Sequence, residues 1–232
     1  MANKSFQRTI IASVLFFFML LPMHAQRYQF DRYEAVAGAG VTTIFSDIGG
    51  ASTRTALSAG IRYTIQKRIS AKASLDFGWG YGTDEGTENE NRGYEYNTFL
   101  VEPSIQAEFH IFTTLGSGYN RKGYRLEVPR FDLYAFLGLG AVYFKPIPGG
   151  ELKADFKDDF SHFSLVFPGG IGFYVGVARR IMIGIELGGR WARTDYIDGW
   201  TSGNSVALDF YYIGIVNVAY RFNNFSFKRG FE

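Results

Sequence analysis

Ile69-Ser70-Ala71-Lys72-Ala73-Ser74-Leu75-Asp76-Phe77-Gly78-Trp79-Gly80-Tyr81 alternates without a slip. Ile69, Ala71, Ala73, Leu75, Phe77, Trp79 and Tyr81 share one face. Ser70, Lys72, Ser74, Asp76, Gly78 and Gly80 share the other. Side chains at spacing two lie on the same side of an extended chain. A strand buried between two soluble layers is apolar on both faces. Here one face suits hydrocarbon and the other carries charges and glycines, as strands of a membrane barrel do.

The same pattern recurs along the chain. Leu208, Phe210, Tyr212, Val216, Val218, Tyr220 and Phe222 oppose Asp209, Tyr211, Asn217 and Arg221. Thr55 to Ile65 and Ile181 to Trp191 alternate likewise. Eight segments are read: about Tyr33–Phe45, Thr53–Ile65, Ile69–Tyr81, Tyr96–Ile111, Phe131–Lys145, Phe163–Ala178, Ile181–Thr194 and Val206–Phe222. Each reaches the roughly 9–11 residues that a tilted strand needs to cross a bilayer core. Aromatics gather near segment ends (Tyr33, Phe45, Trp79, Tyr81, Trp191, Tyr220), where interfacial girdles form. The fold class expected is all-β, an eight-stranded antiparallel up-and-down transmembrane β-barrel. An even count puts both termini on the periplasmic side of an outer membrane. Tight turns at Gln66-Lys67-Arg68 and Arg179-Arg180 fall on that side, and longer connections face outside.

Export precedes insertion. Lys4 and Arg8 lead an apolar run, Ile10 to Leu21, that is too short for a membrane helix, and Ala25 offers a small residue for cleavage. Residues 1–25 read as a signal peptide and 26–232 as the barrel. Lys4 and Arg8 account for two of the 24 basic residues, leaving 22 basic against 22 acidic. This balance leaves no electrostatic footprint for nucleic acid. With no cysteine, disulfides, thiolate metal sites and lipid attachment at cysteine are excluded.

The inward face predicts a charged lumen. Glu34, Asp76, Glu102, Glu108, Asp132, Glu186 and Asp209 face Arg54, Arg62, Lys72, Arg190 and Arg221. An eight-stranded barrel is just wide enough for side chains to fill. A salt-bridged plug is expected, with Glu186 and Arg190 pairing, and no general solute pore.

One segment breaks the pattern. Phe112 to Arg130 reads as a long periplasmic loop carrying Arg121, Lys122, Arg125 and Arg130 against one acid, Glu127. It is the candidate partner contact, although a solvated loop or a short hairpin fits the same residues. A tail, 223–232, also projects on the periplasmic side.

Catalysis finds little support. The chain beyond residue 25 holds two histidines, His110 and His162. His162 and Ser164 lie two apart near acids and form a conceivable hydrolytic pair, which keeps a lipid- or peptide-modifying enzyme as an alternative. A structural or adhesive barrel is the other. No metal spacing, phosphate loop or dinucleotide fingerprint occurs, so no cofactor is expected. Gly38-Ala39-Gly40 and Gly169-Gly170-Ile171-Gly172 read as sites of curvature and close packing.

Three stretches carry a resemblance: Tyr33-Glu34 through Gly38-Ala39-Gly40 to Phe45-Ser46-Asp47; Pro168-Gly169-Gly170-Ile171-Gly172-Phe173; and Glu186-Leu187-Gly188-Gly189-Arg190 with Arg193-Thr194-Asp195-Tyr196-Ile197-Asp198. Together they resemble the PorG-like family of small outer-membrane barrels of Bacteroidota, components of the type IX secretion system. Thr194, Asp195, Tyr196 and Asp198 form the most specific of the motifs. The resemblance implies a non-catalytic secretion component of the outer membrane. Its implied partners are periplasmic ring components and other outer-membrane subunits, in a bed of outer-membrane lipid. Read for themselves, Asp195 and Asp198 suit turn-capping after the seventh strand.

Overall fold

Alternation of this kind satisfies a backbone in lipid only if every strand finds two neighbours. The computed structural model shows that arrangement. It describes residues 32–45, 48–49, 52–119, 125–156, 159–178, 180–200 and 209–222. The strands are β1 (Tyr33–Phe45), β2 (Thr53–Gln66), β3 (Ile69–Thr83), β4 (Tyr94–Tyr119), β5 (Arg125–Gly150), β6 (Phe163–Ala178), β7 (Ile181–Ala192) and β8 (Phe210–Arg221). Each pairs antiparallel with the next, and β1 closes on β8 from Glu34↔Arg221 to Phe45↔Phe210. The signal segment 1–25, Arg121, Lys122, the tail 223–232 and the start of the eighth segment at Val206 lie outside the described residues.

The two faces separate as the alternation requires. Leu137 is 71 % exposed while its neighbour Phe136 is 2 % exposed. Ile105, Ile171, Ile185 and Val216 also point outward, forming an apolar belt far larger than a soluble surface carries.

Two strands run well past their expected ends. The segment 112–130, expected as a loop, is mostly ladder. β4 and β5 stay paired from Phe112↔Leu133 to Tyr119↔Arg125. Register shifts at His110/Phe112 and Thr114/Leu115 explain why the pattern hid them. An extra residue puts both Ile111 and Phe112 on the exposed side and breaks the period-two signal. At ~3.4 Å per residue the hairpin extends roughly 30 Å past Phe109, beyond the turn between β2 and β3. At the other end β5 continues through Pro146 and Pro148 to Gly150, paired with β4. β6 pairing stops at Tyr143↔Phe163, so these prolines sit on a free edge that needs no donor.

Closure depends on missing side chains at two seams. A Cβ on Gly40 would stand 1.9 Å from the Gly214 carbonyl oxygen of β8. One on Gly170 would stand 2.1 Å from that of Leu187 on β7. Gly40→Val is expected to block closure of the β1–β8 seam. The heat-dependent mobility shift of the folded barrel in detergent gels should be lost, whereas Ala39→Val, on the outward face, should keep it.

Candidate functional site

Near the end that carries the chain termini, every strand sends one polar side chain to a common tier. These are Glu34, Arg62, Lys72, Glu108, Tyr134, Tyr174, Glu186 and Arg221, on β1 to β8 in order. The Arg62 Nε donates to Glu108 Oε2 at 2.5 Å and Nη2 to Oε1 at 3.0 Å. Its Nη1 reaches Glu34 Oε2 at 3.1 Å, and Arg221 Nε donates to Glu34 Oε1 at 2.8 Å. Lys72 Nζ meets Glu186 Oε2 at 2.5 Å, and the Tyr134 hydroxyl donates to the same oxygen at 2.7 Å. The Arg62 guanidinium also lies over the rings of Tyr134 and Tyr174, 5.2 and 4.7 Å from their centroids. Three carboxylates face three cations, so the tier is neutral and each of its charged groups is hydrogen-bonded.

A second tier lies deeper. Arg190 on β7 approaches Asp76 at 3.7 Å and Glu102 at 3.6 Å. The Tyr211 hydroxyl donates to Glu102 at 2.7 Å and Ser58 to Asp76 at 2.5 Å. Glu186 therefore pairs with Lys72, not with Arg190 as expected, because four residues of extended strand set the two about 13 Å apart along β7.

Arg54 and Asp209 are not in this network. Both stand at the loop ends of their strands, beyond the charged tiers. Arg54 is exposed, with its guanidinium 4.8 Å from the Tyr81 ring centroid. Asp209 is buried and accepts the Ile197 backbone N–H at 2.8 Å.

Above the second tier the lumen is apolar. Ile44, Leu100, Val142, Phe144, Val166 and Ile213 pack there with Ile197, which enters from the β7–β8 connection. The Thr194–Asp198 motif closes this mouth. Tyr196 stacks on Phe160 with centroids 4.8 Å apart. Asp198 caps as expected, taking Trp200 N–H at 2.9 Å, and also ties down Ile48 N–H at 3.3 Å. Thr194 accepts the Asp209 N–H through its carbonyl at 2.9 Å, and Asp195 is half-buried beside it. Asp84 ties the β1–β2 and β3–β4 connections, accepting from Gly49 N–H at 3.2 Å and Arg92 Nε at 2.7 Å. Burial pushes the Asp84 carboxyl up, but the Arg92 bonds and charge outweigh it and hold it below the ordinary carboxylate range.

The structure also joins residues that sequence spacing kept apart. Ser70 Oγ and His110 Nε2 are 2.8 Å apart, and His110 Nδ1 lies 2.8 Å from Asp132 Oδ1. Thr113 donates to the same Asp132 oxygen at 2.9 Å. The order serine–histidine–aspartate is that of a hydrolytic triad. Ser70 is fully buried, and β3 is paired on both sides there, with Thr64 and Glu108. Its backbone amides serve the ladder, not an oxyanion. The other candidate pair does not form a relay: the Ser164 hydroxyl donates to the Leu165 carbonyl. His162 packs among Phe160, Phe144 and Tyr143. Among the described residues no cluster of three or more acids and histidines is placed to hold a metal ion. Of the candidate partner contacts, Arg125 and Arg130 lie on β5, and Arg121 and Lys122 lie outside the described residues.

Closed antiparallel strands, an outward apolar belt and a filled lumen define a small transmembrane β-barrel. The outer membrane protein beta-barrel domain matches residues 12–222, and the chain belongs to that family. Its fold is similar to OprG from Pseudomonas aeruginosa, at TM-score 0.52 and 11 % identity, over 83 % of this chain and 96 % of that one. It is also similar to Neisserial surface protein A, at TM-score 0.50 and 12 % identity, over 82 % of this chain and 97 % of that one. No curated protein matches the sequence significantly.

Removing one member of the neutral tier strands its partners in a dry interior. Arg62→Met is expected to cost about 3–5 kcal/mol. Paired with Glu108→Leu it should recover part of that loss. Urea unfolding from lipid vesicles measures both, and an unperturbed single variant would mean that the tier carries no coupling.

Proposed function

We propose that the protein is a non-catalytic outer-membrane component of the type IX secretion system, contacting a periplasmic ring of that machine. One observation carries the reading: a barrel with a plugged lumen extends a long two-stranded hairpin from the end that bears its termini. A filled lumen leaves the surface to do the work. Outer-membrane barrels keep short turns on the periplasmic side. With the two-residue Lys67-Arg68 turn taken as periplasmic, this reading assigns the barrel's termini and the hairpin to the periplasm. The sequence between Phe112 and Arg130 holds Arg121, Lys122, Arg125 and Arg130 against Glu127, a basic balance suited to an acidic partner. The assignment to this secretion system rests on the resemblance of the Thr194–Asp198 stretch and the Gly-rich strands. Residues 1–25 serve as the export signal in this reading.

A hydrolase is the second reading, favoured by the Ser70–His110–Asp132 geometry. Burial of Ser70 and the lack of free backbone donors weigh against it, and the polar trio instead pins β3, β4 and β5 where the hairpin leaves the barrel.

Two experiments separate these readings. Affinity purification in mild detergent, with mass spectrometry, should recover ring subunits with the barrel. Charge reversal of Arg121, Lys122, Arg125 and Arg130 should cut that recovery several-fold while the barrel stays folded. Undiminished recovery would move the contact elsewhere. A fluorophosphonate probe should leave Ser70 unmodified in the folded protein, and labelling abolished by His110→Ala would establish the enzyme instead.

A further inference from the structure

The outward face near the loop end bears a groove of about 630 Å³ between β2 and β5. Leu57, Trp79, Phe99 and Ile147 line its apolar part, and Arg54 and Asn97 its polar end. Trp79 and Phe99 are cross-strand partners, and Lys145 follows Phe99 in the same row. Tyr81, Asn97 and Ile147 form the next row towards the loops.

Aromatic residues at this height mark the membrane–water interface. Arg54 and Lys145 are both exposed there, and among the described residues neither has a carboxylate partner. The lumen shows how this protein treats cations that are meant to stay internal: each is matched to an acid. Two unmatched cations on the lipid side, over an apolar groove, face an anion supplied by the membrane. The Arg54 guanidinium reaches from β2 over the Tyr81 ring of β3, and Lys145 stands on β5, two strand spacings or about 10 Å across the sheet from that ring, which a lipid headgroup spans.

We infer that Arg54 and Lys145 hold the phosphorylated headgroup of a membrane lipid whose acyl chain lies against Leu57, Trp79, Phe99 and Ile147. The orientation proposed above decides only which leaflet supplies that lipid. Phosphate suits this pair because a guanidinium binds it through paired N–H groups and an ammonium adds a point charge.

Native mass spectrometry of the purified full chain, titrated with phosphatidylglycerol or phosphatidylcholine, tests the site without any partner protein. Phosphatidylglycerol should be retained at least fivefold better than the zwitterionic lipid. Arg54→Gln with Lys145→Gln should erase that preference, whereas Lys67→Gln with Arg68→Gln at the opposite end should keep it. Leu57→Trp, which fills the groove without touching charge, should weaken retention of phosphatidylglycerol. Folding of each variant is scored by heat-dependent gel mobility. Equal retention of the two lipids, or an unchanged preference in the Arg54/Lys145 variant, overturns the proposal. Its outcome is independent of whether the hairpin binds a secretion subunit.

Discussion

Closure of β1 on β8 is the constraint from which the rest follows. In hydrocarbon an unpaired N–H or C=O has no water to turn to, and a strand edge is a row of them. Closing eight strands removes the edge but forces a narrow tube. The seam residues Gly38 and Gly40 are therefore chosen for what they lack. Any side chain there would collide with the β8 backbone, or with Asn217 and Ile215 at Gly38.

A narrow tube must then be filled, and this protein fills its two halves differently. Near the termini the filling is ionic. Buried ion pairs offset their desolvation only when geometry and hydrogen bonding are nearly complete. The tier around Arg62 meets that demand, with the Tyr134 hydroxyl and the aromatic faces completing it. Near the loops the filling is aliphatic and aromatic, sealed by Ile197 and by loops cross-tied through Asp84 and Asp198. The polar half specifies partners one by one, and the apolar half supplies bulk burial, with the Thr42 and Thr98 hydroxyls buried there without a hydrogen-bond partner.

Legibility in the sequence tracked periodicity. Where alternation was unbroken, as in β3 and β8, faces were assigned correctly, and Arg62, Lys72, Asp76, Glu102, Glu186 and Arg190 were read as inward. Parity does not give height in the barrel, so Asp209 was counted with the tiers although it stands at the loop end, and a one-residue register change between Ala56↔Gly78 and Ser52↔Tyr81 leaves Arg54, read as inward, exposed over the Tyr81 ring. Bulges at His110/Phe112 and Thr114/Leu115 shifted parity midway and turned a hairpin into an apparent loop. The Ser70–His110–Asp132 trio was invisible for a different reason. Its members sit on three strands, and only the β3–β4–β5 register brings them together. The apolar upper lumen left a fainter signal, inward positions such as Val142, Phe144 and Ile213 that hold apolar residues in place of polar ones.

A plugged barrel shifts function to its surfaces, and here the two ends differ physically. The loop end is tied shut, with Asp84 accepting from three separate residues and Trp200 lying beside the Arg92 guanidinium at 4.6 Å. The terminal end instead projects a hairpin whose strands, once beyond the barrel, have only each other. A two-stranded ribbon is marginal by itself in water. The polar trio of Ser70, His110 and Asp132 stands at its root and ties β3, β4 and β5 together there. Beyond that root the ribbon's outer edges are unpaired, which is the geometry by which a sheet accepts another strand or a partner surface. Load on such a ribbon would be carried into the barrel wall, where backbone pairing resists it.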